Sequence, residues 1–112
     1  MPQVIQRHLE FYEDAQGRQP FRRWLDALDD ITQARIRHRL TRLELGNMGD
    51  CKAVGGGVHE LRCFFGSGYR LYFAEAGANE IVLLLGGDKQ IQPRDIRTAQ
   101  SYWVTYKSKR QS

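Results

Sequence analysis

The amino-acid sequence predicts an α+β domain in which a small, mainly antiparallel sheet packs against helices. Helical periodicity is concentrated in the first half of the chain, and short alternating strands separated by glycine turns fill most of the second half. The 112 residues are enough to bury one hydrophobic core. The predicted order is β-α-α-β-β-β-α, with two N-terminal helices on one sheet face, a C-terminal helix, and a single domain over residues 1–112.

The first strand and the first helix are predicted between residues 4 and 28. Residues 4–12 are rich in strand-forming side chains, and the turn-forming residues 13–17 end the strand. Pro20 suits the first turn of a helix. The apolar residues that follow recur at the spacing of one buried helix face: Phe21, Trp24, Leu25 and Leu28.

A second helix is predicted over residues 31–45, with Asp30 and Gln33 as a capping box and Gly46 ending it. Its apolar stripe consists of Ile36, Leu40 and Leu43. Beside this stripe runs a basic one: Arg35, His38, Arg39 and Arg42. Three interpretations fit the basic stripe, namely a phosphate site, a solvated helix face, or a contact surface for an acidic protein.

Three strands and a last helix are predicted in the second half of the chain. The strands cover residues 58–65, 69–75 and 81–85. Residues 54–57, which include three glycines, are expected to form a flexible loop. The apolar run 81–85 is expected to be the central strand, covered on both faces. The last helix opens at residue 92, and residues 107–112 are expected to form a frayed basic tail.

The charge distribution indicates a polyanionic partner. Lys and Arg total 17 against 13 acidic residues, and the resulting net charge of +4 lies entirely in residues 51–112. Arginine supplies 13 of the 17 cations, and its planar guanidinium suits phosphate recognition. A small protein of this kind either binds nucleic acid or merely has a basic surface, and charge alone leaves both open.

Motifs and composition exclude several function classes. The longest apolar run, residues 81–85, is far shorter than the roughly 20 residues that span a bilayer. No secretory leader is recognisable, so the cytoplasm is the expected location. Cys51 and Cys63 lack a catalytic or metal-binding arrangement. Because CxxC, HExxH and phosphate-loop motifs are absent from the sequence, neither a metal nor a cofactor is expected.

Two arginines and a glutamate are predicted to meet on the sheet. By strand alternation Glu60 and Arg62 lie on the face opposite the core, and Arg70 lies across a tight hairpin from Arg62. Neighbouring arginines repel each other unless an anion lies between them. Either Glu60 neutralises the pair, or the pair forms a phosphate site. Lys89 follows two glycines after the apolar strand, where a functional residue or an ordinary surface lysine can stand.

Six short motifs occur in order along most of the chain. They are Phe21-x-x-Trp24-Leu25-x-x-Leu28, Arg39-Leu40-x-Arg42-Leu43-x-x-Gly46-Asn47-x-Gly49-Asp50, Glu60-Leu61-Arg62, Gly68-Tyr69-Arg70, Leu83-Leu84-Leu85-Gly86-Gly87-Asp88-Lys89, and Asp95-Ile96-x-x-Ala99. Over residues 3–106 their order and spacing resemble the RelE/ParE superfamily of bacterial toxins, and more narrowly its HigB-like addiction-module killer branch. The resemblance implies the same small antiparallel sheet with two N-terminal helices and a concave basic face.

The resemblance implies a toxin of a type II toxin–antitoxin module. RNase members of the superfamily cleave mRNA in the ribosomal A site, most of them without a metal, by attack of the 2′-hydroxyl on the adjacent phosphate. The implied partners are a helix-turn-helix antitoxin encoded next to the chain, the ribosome and mRNA. Operator DNA is reached only through the antitoxin, and no membrane is involved. Two alternatives are a gyrase-inhibiting toxin and a non-catalytic, antitoxin-binding co-repressor.

The resemblance also implies roles for individual residues. Expected catalytic residues are Arg70 and Arg62 at the phosphate, Lys89 for charge stabilisation or as general acid, and Glu60 as the best available base. Expected RNA-binding residues are Lys52, Tyr72 and Arg94. Expected antitoxin-binding residues are Arg35, Arg39 and Arg42. The best-known RNase members carry lysines where Val58 and Glu60 stand here, and a stacking tyrosine near positions 93–96. Tyr72, Tyr102 or a ribosomal group is the expected substitute for that tyrosine.

Overall fold

Three helices and five strands make up the part of the chain that the computed structural model describes, residues 6–88 and 92–111. In chain order they are β1 (His8–Phe11), α1 (Pro20–Asp26), α2 (Asp30–Glu44), β2 (Cys51–Gly55), β3 (Val58–Cys63), β4 (Tyr69–Gly77), β5 (Glu80–Asp88) and α3 (Gln92–Gln111). The predicted α+β class is confirmed. The predicted element order lacks one strand, β2.

The five strands form one sheet in the order β1-β5-β4-β3-β2. Only β1 runs parallel to its neighbour β5, and the other adjacent pairs are antiparallel. The central strand is therefore β4, and the prediction that residues 81–85 form the centre is wrong by one position. An apolar run indicates only that both faces of a strand are buried. An interior strand next to the edge strand can be buried as fully as the central one, so the run does not fix the position in the sheet.

The strand β2 replaces the predicted loop that begins at residue 54. A hairpin turn at Gly56 and Gly57 joins it to β3, and both glycines have positive φ angles, +66° and +86°. This backbone conformation is easily reached only by glycine, so the glycines indicate a tight turn rather than a flexible segment. Because β2 is a short and mostly exposed edge strand, its residues show no buried alternation that the sequence could reveal.

The helix boundaries differ from prediction at three places, and the first of them is the end of α1, which lies at Asp26 rather than at Leu28. The N-cap of α2 is Asp29, not Asp30, and its carboxylate accepts a hydrogen bond of 3.1 Å from the amide of Thr32. The last helix, α3, continues through the predicted tail to Gln111. In its last turns Arg110 donates hydrogen bonds to Glu80 and to the hydroxyl of Tyr106. In the described part of the chain, α3 included, no helix is both long and apolar enough to cross a membrane.

Helices cover both faces of the sheet and create two separate cores. One core joins α1 and α2 to the sheet through Phe21, Leu25, Ile36, Leu40, Leu43, Leu61, Leu71 and Phe73, among others. The other joins α3 to the opposite face through Val58, Tyr72, Ala74, Val82, Leu84, Ala99 and Trp103, among others. The face on which Glu60 and Arg62 were expected to lie away from the core is therefore not open along its whole length, because α3 packs across it. The end of this face that carries Arg62 and Arg70 keeps partial exposure.

The close approach of α1 to β5 depends on Gly86. A Cβ atom at this position would lie 2.1 Å from a ring carbon of Trp24, well inside van der Waals contact. Gly86→Ala is therefore expected to lower the free energy of unfolding by about 1–3 kcal/mol, because the helix must shift to admit the methyl group. Urea denaturation measures this loss. Gly86→Ala combined with Trp24→Leu should recover part of it, and an unchanged midpoint in the single variant would contradict the packing.

Candidate active site

A fully buried carboxylate organises the end of the sheet beside the start of α3. Glu60 on β3 is 0% exposed, and its Oε1 accepts a 2.9 Å hydrogen bond from Nη1 of Arg70 on β4. Its Oε2 accepts hydrogen bonds from the hydroxyl of Tyr72 at 3.2 Å and from the amide of Gln92 at 2.8 Å. The ammonium of Lys52 on β2 lies 3.9 Å from Oε1. Four residues from two strands and one helix thus converge on one carboxylate.

The predicted approach of the two arginines is confirmed by the strand register. Arg62 and Arg70 are direct partners across β3 and β4, so their side chains lie on the same face. Each arginine has its own acid, since Asp50 binds Arg62 at 2.9 Å and Glu60 binds Arg70 at 2.9 Å. The interpretation that Glu60 neutralises the arginines therefore holds for Arg70, whereas Asp50 serves Arg62. Arg62 remains 38% exposed and Arg70 15% exposed.

Two expected site residues are less accessible than the sequence suggests. Glu60 and Tyr72 are both 0% exposed, because α3 covers their face of the sheet. A buried ring cannot stack on a base, so the expected RNA contact of Tyr72 is corrected. Glu60 is likewise corrected from an open-face position, and both of its oxygens already accept hydrogen bonds. Its geometry is that of a group that positions Arg70 rather than one that meets solvent or substrate.

The hydroxyl of Tyr72 makes the free energy of unfolding decrease as the pH rises in the alkaline range. Burial, and then the neighbouring negative charge of Glu60, raise the pKa of Tyr72 well above its usual value. Because the pKa of Tyr72 is higher in the folded state than in the unfolded state, its hydroxyl contributes to the free energy of unfolding. This contribution is complete below the unfolded tyrosine pKa of about 10 and is lost as pH rises beyond it. The pKa values of Tyr12 and Tyr106 are also raised by burial, so several tyrosines contribute.

Tyr72→Phe is expected to flatten the fall in unfolding free energy above pH 10, by up to about 1.4 kcal/mol per pH unit. Urea denaturation between pH 8 and pH 11 measures the slope. Tyr69→Phe, on the same strand but outside the Glu60 cluster, is the matched control. An identical slope in the wild type and Tyr72→Phe would contradict the assignment.

The remaining predicted RNA contacts, Lys52 and Arg94, have exposed side chains. Lys52 is exposed on the edge strand β2 while its ammonium approaches Glu60. Arg94 is exposed in the first turn of α3. The expected catalytic Lys89 lies outside the described residues, between β5 and α3 in the sequence. Lys52 and Arg94 are therefore available to an anionic ligand, and the role of Lys89 stays a prediction.

A basic groove lies between α2 and the end of β3. Its volume is about 630 Å³, and it is lined by the predicted stripe of Arg35, His38, Arg39 and Arg42 together with Arg62 and Phe64. Arg39 donates a 3.1 Å hydrogen bond to the carbonyl of Asn47, while its buried Nη2 has no hydrogen-bond partner. Burial, followed by the charge of Arg42, lowers the pKa of Arg39. The groove thus gathers positive charge, part of which lacks a counter-charge.

A second, smaller cleft lies at the turn between β3 and β4. It has a volume of about 290 Å³ and is lined by Arg62, Phe64, Ser67, Tyr69 and Arg70, among others. Arg62 and Phe64 line both this turn cleft and the α2 groove. They form the ridge that separates the two cavities.

Sequence reasoning missed three contributors to the site. Gln92 reaches Glu60 from α3, a contact across 32 positions that no local pattern reveals. Asp50 binds Arg62 from the start of the missed β2 hairpin, and recognition of that hairpin would have predicted the pair. Asp95 is buried with one carboxylate oxygen lacking a hydrogen-bond partner, and burial raises its pKa. Within residues 6–88 and 92–111, no group of three metal-ligating side chains could hold a metal ion.

Comparison with known proteins identifies the family. The model of a family described as phage-derived protein Gp49-like (DUF891) matches residues 23–103, which include α2, Glu60, Arg62 and Arg70. An uncharacterized protein of Haemophilus influenzae is similar to the chain, with 42% identity over 81 residues that make up 71% of this chain and 82% of the relative. On these matches, the chain belongs to the Gp49-like family of phage-derived proteins.

Proposed function

We propose that this protein is the toxin of a bacterial type II toxin–antitoxin module and acts as a ribosome-dependent mRNA endonuclease. The Gp49-like family is a known family of such toxins, which supports the first part. The observation that carries the second part is the pair Arg62 and Arg70, held side by side across the sheet with separate acids fixing each guanidinium. The RelE/ParE-like, HigB-like motifs of the sequence point to the same activity.

The proposed reaction is an internal transfer at one phosphate of the message. The 2′-hydroxyl oxygen forms a bond to phosphorus as the bond from phosphorus to the 5′-oxygen breaks, giving a 2′,3′-cyclic phosphate and a 5′-hydroxyl. A base takes the proton of the 2′-hydroxyl, and an acid supplies one to the leaving 5′-oxygen. Arg70 and Arg62 are proposed to stabilise the charge on the pentacoordinate phosphorus, since guanidinium groups bind phosphate oxygens in pairs.

Glu60 is proposed as a positioning residue for Arg70, not as the base. Its carboxylate is fully buried and holds Nη1 of Arg70 at 2.9 Å, which fixes the guanidinium before substrate arrives. Lys89 is proposed to stabilise charge or to act as the general acid. Lys52 and Arg94 are proposed to bind neighbouring phosphates, because both are exposed cations, Lys52 beside Glu60 and Arg94 two positions after Gln92 in α3.

The proposal is tested by primer extension on a message bound to purified ribosomes, with and without the protein. New 5′ ends within A-site codons are expected, and Lys89→Ala should remove them together with the growth arrest caused by expression. Growth arrest without cleavage would favour gyrase inhibition, which a supercoiling assay measures. If the protein causes neither cleavage nor growth arrest, both toxin activities are contradicted and a binding module is favoured.

The proposed partner is a small helix-turn-helix antitoxin that lays an acidic segment in the α2 groove. The groove supports this role because it combines the exposed cations Arg35 and Arg42 with aromatic surface. Arg35 stands over the ring of Phe65 at 5.4 Å, so the groove offers both charge and apolar area to a protein partner.

Arg35→Glu combined with Arg42→Glu is expected to weaken antitoxin binding by about 10-fold to 100-fold, because like charges then face each other across the interface. Calorimetry at low and high salt measures the affinity of this protein for the helix-turn-helix antitoxin whose gene lies next to its own. Arg37→Glu, also exposed on α2 but outside the groove, is the control. Equal affinities for the double variant and the control would contradict this placement.

A further inference from the structure

Phe64 is a solvent-exposed aromatic residue that lines both the turn cleft and the α2 groove. Its side chain is 76% exposed, the highest value among the large hydrophobic residues in the described part of the chain. It directly follows β3 and opens the turn to β4. Single exposed apolar residues are common on protein surfaces, so the role of this ring has to be read from the residues around it.

The surroundings of Phe64 define the chemistry of that contact. The guanidinium of Arg62 stands 5.5 Å from the centre of the ring, and Asp50 holds the same guanidinium in place at 2.9 Å. The ring and the cation therefore form a fixed pair. The pair is the ridge between the turn cleft, which contains Arg70, and the α2 groove, which contains Arg39 and Arg42.

We propose that Phe64 is a stacking platform for a base of single-stranded RNA, with Arg62 binding an adjacent phosphate. Unpaired bases stack on aromatic rings and arginine planes, and their phosphates require cations nearby. Arginines line the cavities on both sides of the ridge and supply those cations. This inference rests on the proposed function and adds to it the residue that grips the base.

An RNA base suits this position better than an apolar protein side chain does. Phe64 shares the turn cleft with Arg70, so a base on the ring brings its own phosphate towards the proposed reaction site. The guanidinium groups of Arg62 and Arg70 line the same cleft and can bind that phosphate, a contact that an apolar protein side chain would not make.

The test is a double-mutant cycle that combines a change in the protein with a change in the message, and it measures the single-turnover rate of cleavage of ribosome-bound message. Phe64→Ala is expected to slow cleavage by about 5-fold to 100-fold, as for loss of one stacked base, and Phe64→Trp should restore most of the rate. Messages that carry an abasic nucleotide at each A-site position in turn are then compared. At one position the ratio of wild-type to Phe64→Ala rates should fall to about 1, because the partner of the ring is missing.

The control variant is Val104→Ala, which shortens another exposed apolar side chain, on α3. It should cleave like the wild type. If the wild type cleaves and Phe64→Ala slows all messages equally, stacking is overturned while the endonuclease proposal stands. If Phe64→Ala cleaves normally but escapes neutralisation by the antitoxin, the ring is a protein contact and stacking is again overturned. If the wild type cleaves nothing, the endonuclease proposal falls and the stacking role with it.

Discussion

Replacing Arg70 by alanine is expected to lower the cleavage rate of ribosome-bound mRNA by about 100-fold to 1,000-fold, the usual effect of removing one preorganised charge donor. Arg70 lines the turn cleft, and the buried carboxylate of Glu60 fixes its guanidinium at 2.9 Å. A cation that is already oriented stabilises the developing phosphorane without reorganising during the reaction. Single-turnover primer extension measures the rate, and the growth arrest caused by expression should disappear.

Two further variants separate lost chemistry from lost structure. Arg70→Ala removes the nearer cation of the buried Glu60 and leaves Lys52 at 3.9 Å, so the single variant also loses stability. Glu60→Gln in the Arg70→Ala background removes the buried charge, and this double variant should regain stability while staying inactive. Arg97→Ala, on the exposed surface of α3, is the matched control and should cleave normally. Wild-type cleavage by a folded Arg70→Ala variant would exclude Arg70 from the reaction.

Glu60→Ala is expected to lower the free energy of unfolding by about 3–5 kcal/mol, the range found when one partner of a buried ion pair is removed. The variant removes the acceptor of the guanidinium of Arg70, the hydroxyl of Tyr72 and the amide of Gln92, in a site from which water is largely excluded. Each of these donors then lacks its acceptor. Urea denaturation followed by circular dichroism measures the loss.

The matched control for Glu60 is Glu75→Ala on β4. Glu75 is 43% exposed and pairs with Arg7 at 3.0 Å at the surface, so its removal should cost less than about 1 kcal/mol. Glu60→Gln should fall between the two, since the amide keeps the shape and still accepts hydrogen bonds. A loss in Glu60→Ala no larger than that in Glu75→Ala would contradict the structural importance of the buried cluster.

Local patterns predict the class of the fold and most elements, because each depends on a period that the residues repeat. The apolar spacing of Phe21, Trp24 and Leu25 predicts α1, and the hairpin glycines Gly66 and Gly68 place β3 beside β4. The strand β2 was missed because it gains its structure from pairing with β3 and buries little of its own surface. Alternation could not show that α3 returns over the second sheet face, since that packing is a long-range contact.

The candidate site was predictable to the same extent. The approach of Arg62 and Arg70 follows from hairpin register, which the turn glycines set. The burial of Glu60 does not, because a glutamate in an alternating strand normally indicates a solvent-exposed face. Here Arg70, Tyr72 and Gln92 together replace water around the carboxylate, and only the folded chain brings them to one point.

The covering of both sheet faces gives the chain a pair of intrinsic optical probes. It contains two tryptophans, and each belongs to a different layer: Trp24 packs on the core beneath α1 and α2, whereas Trp103 lies within the core beneath α3. Trp24→Phe and Trp103→Phe therefore yield two proteins, each with a single tryptophan on a known side of the sheet. Their emission can follow, separately, the detachment of the N-terminal helices and that of the C-terminal helix.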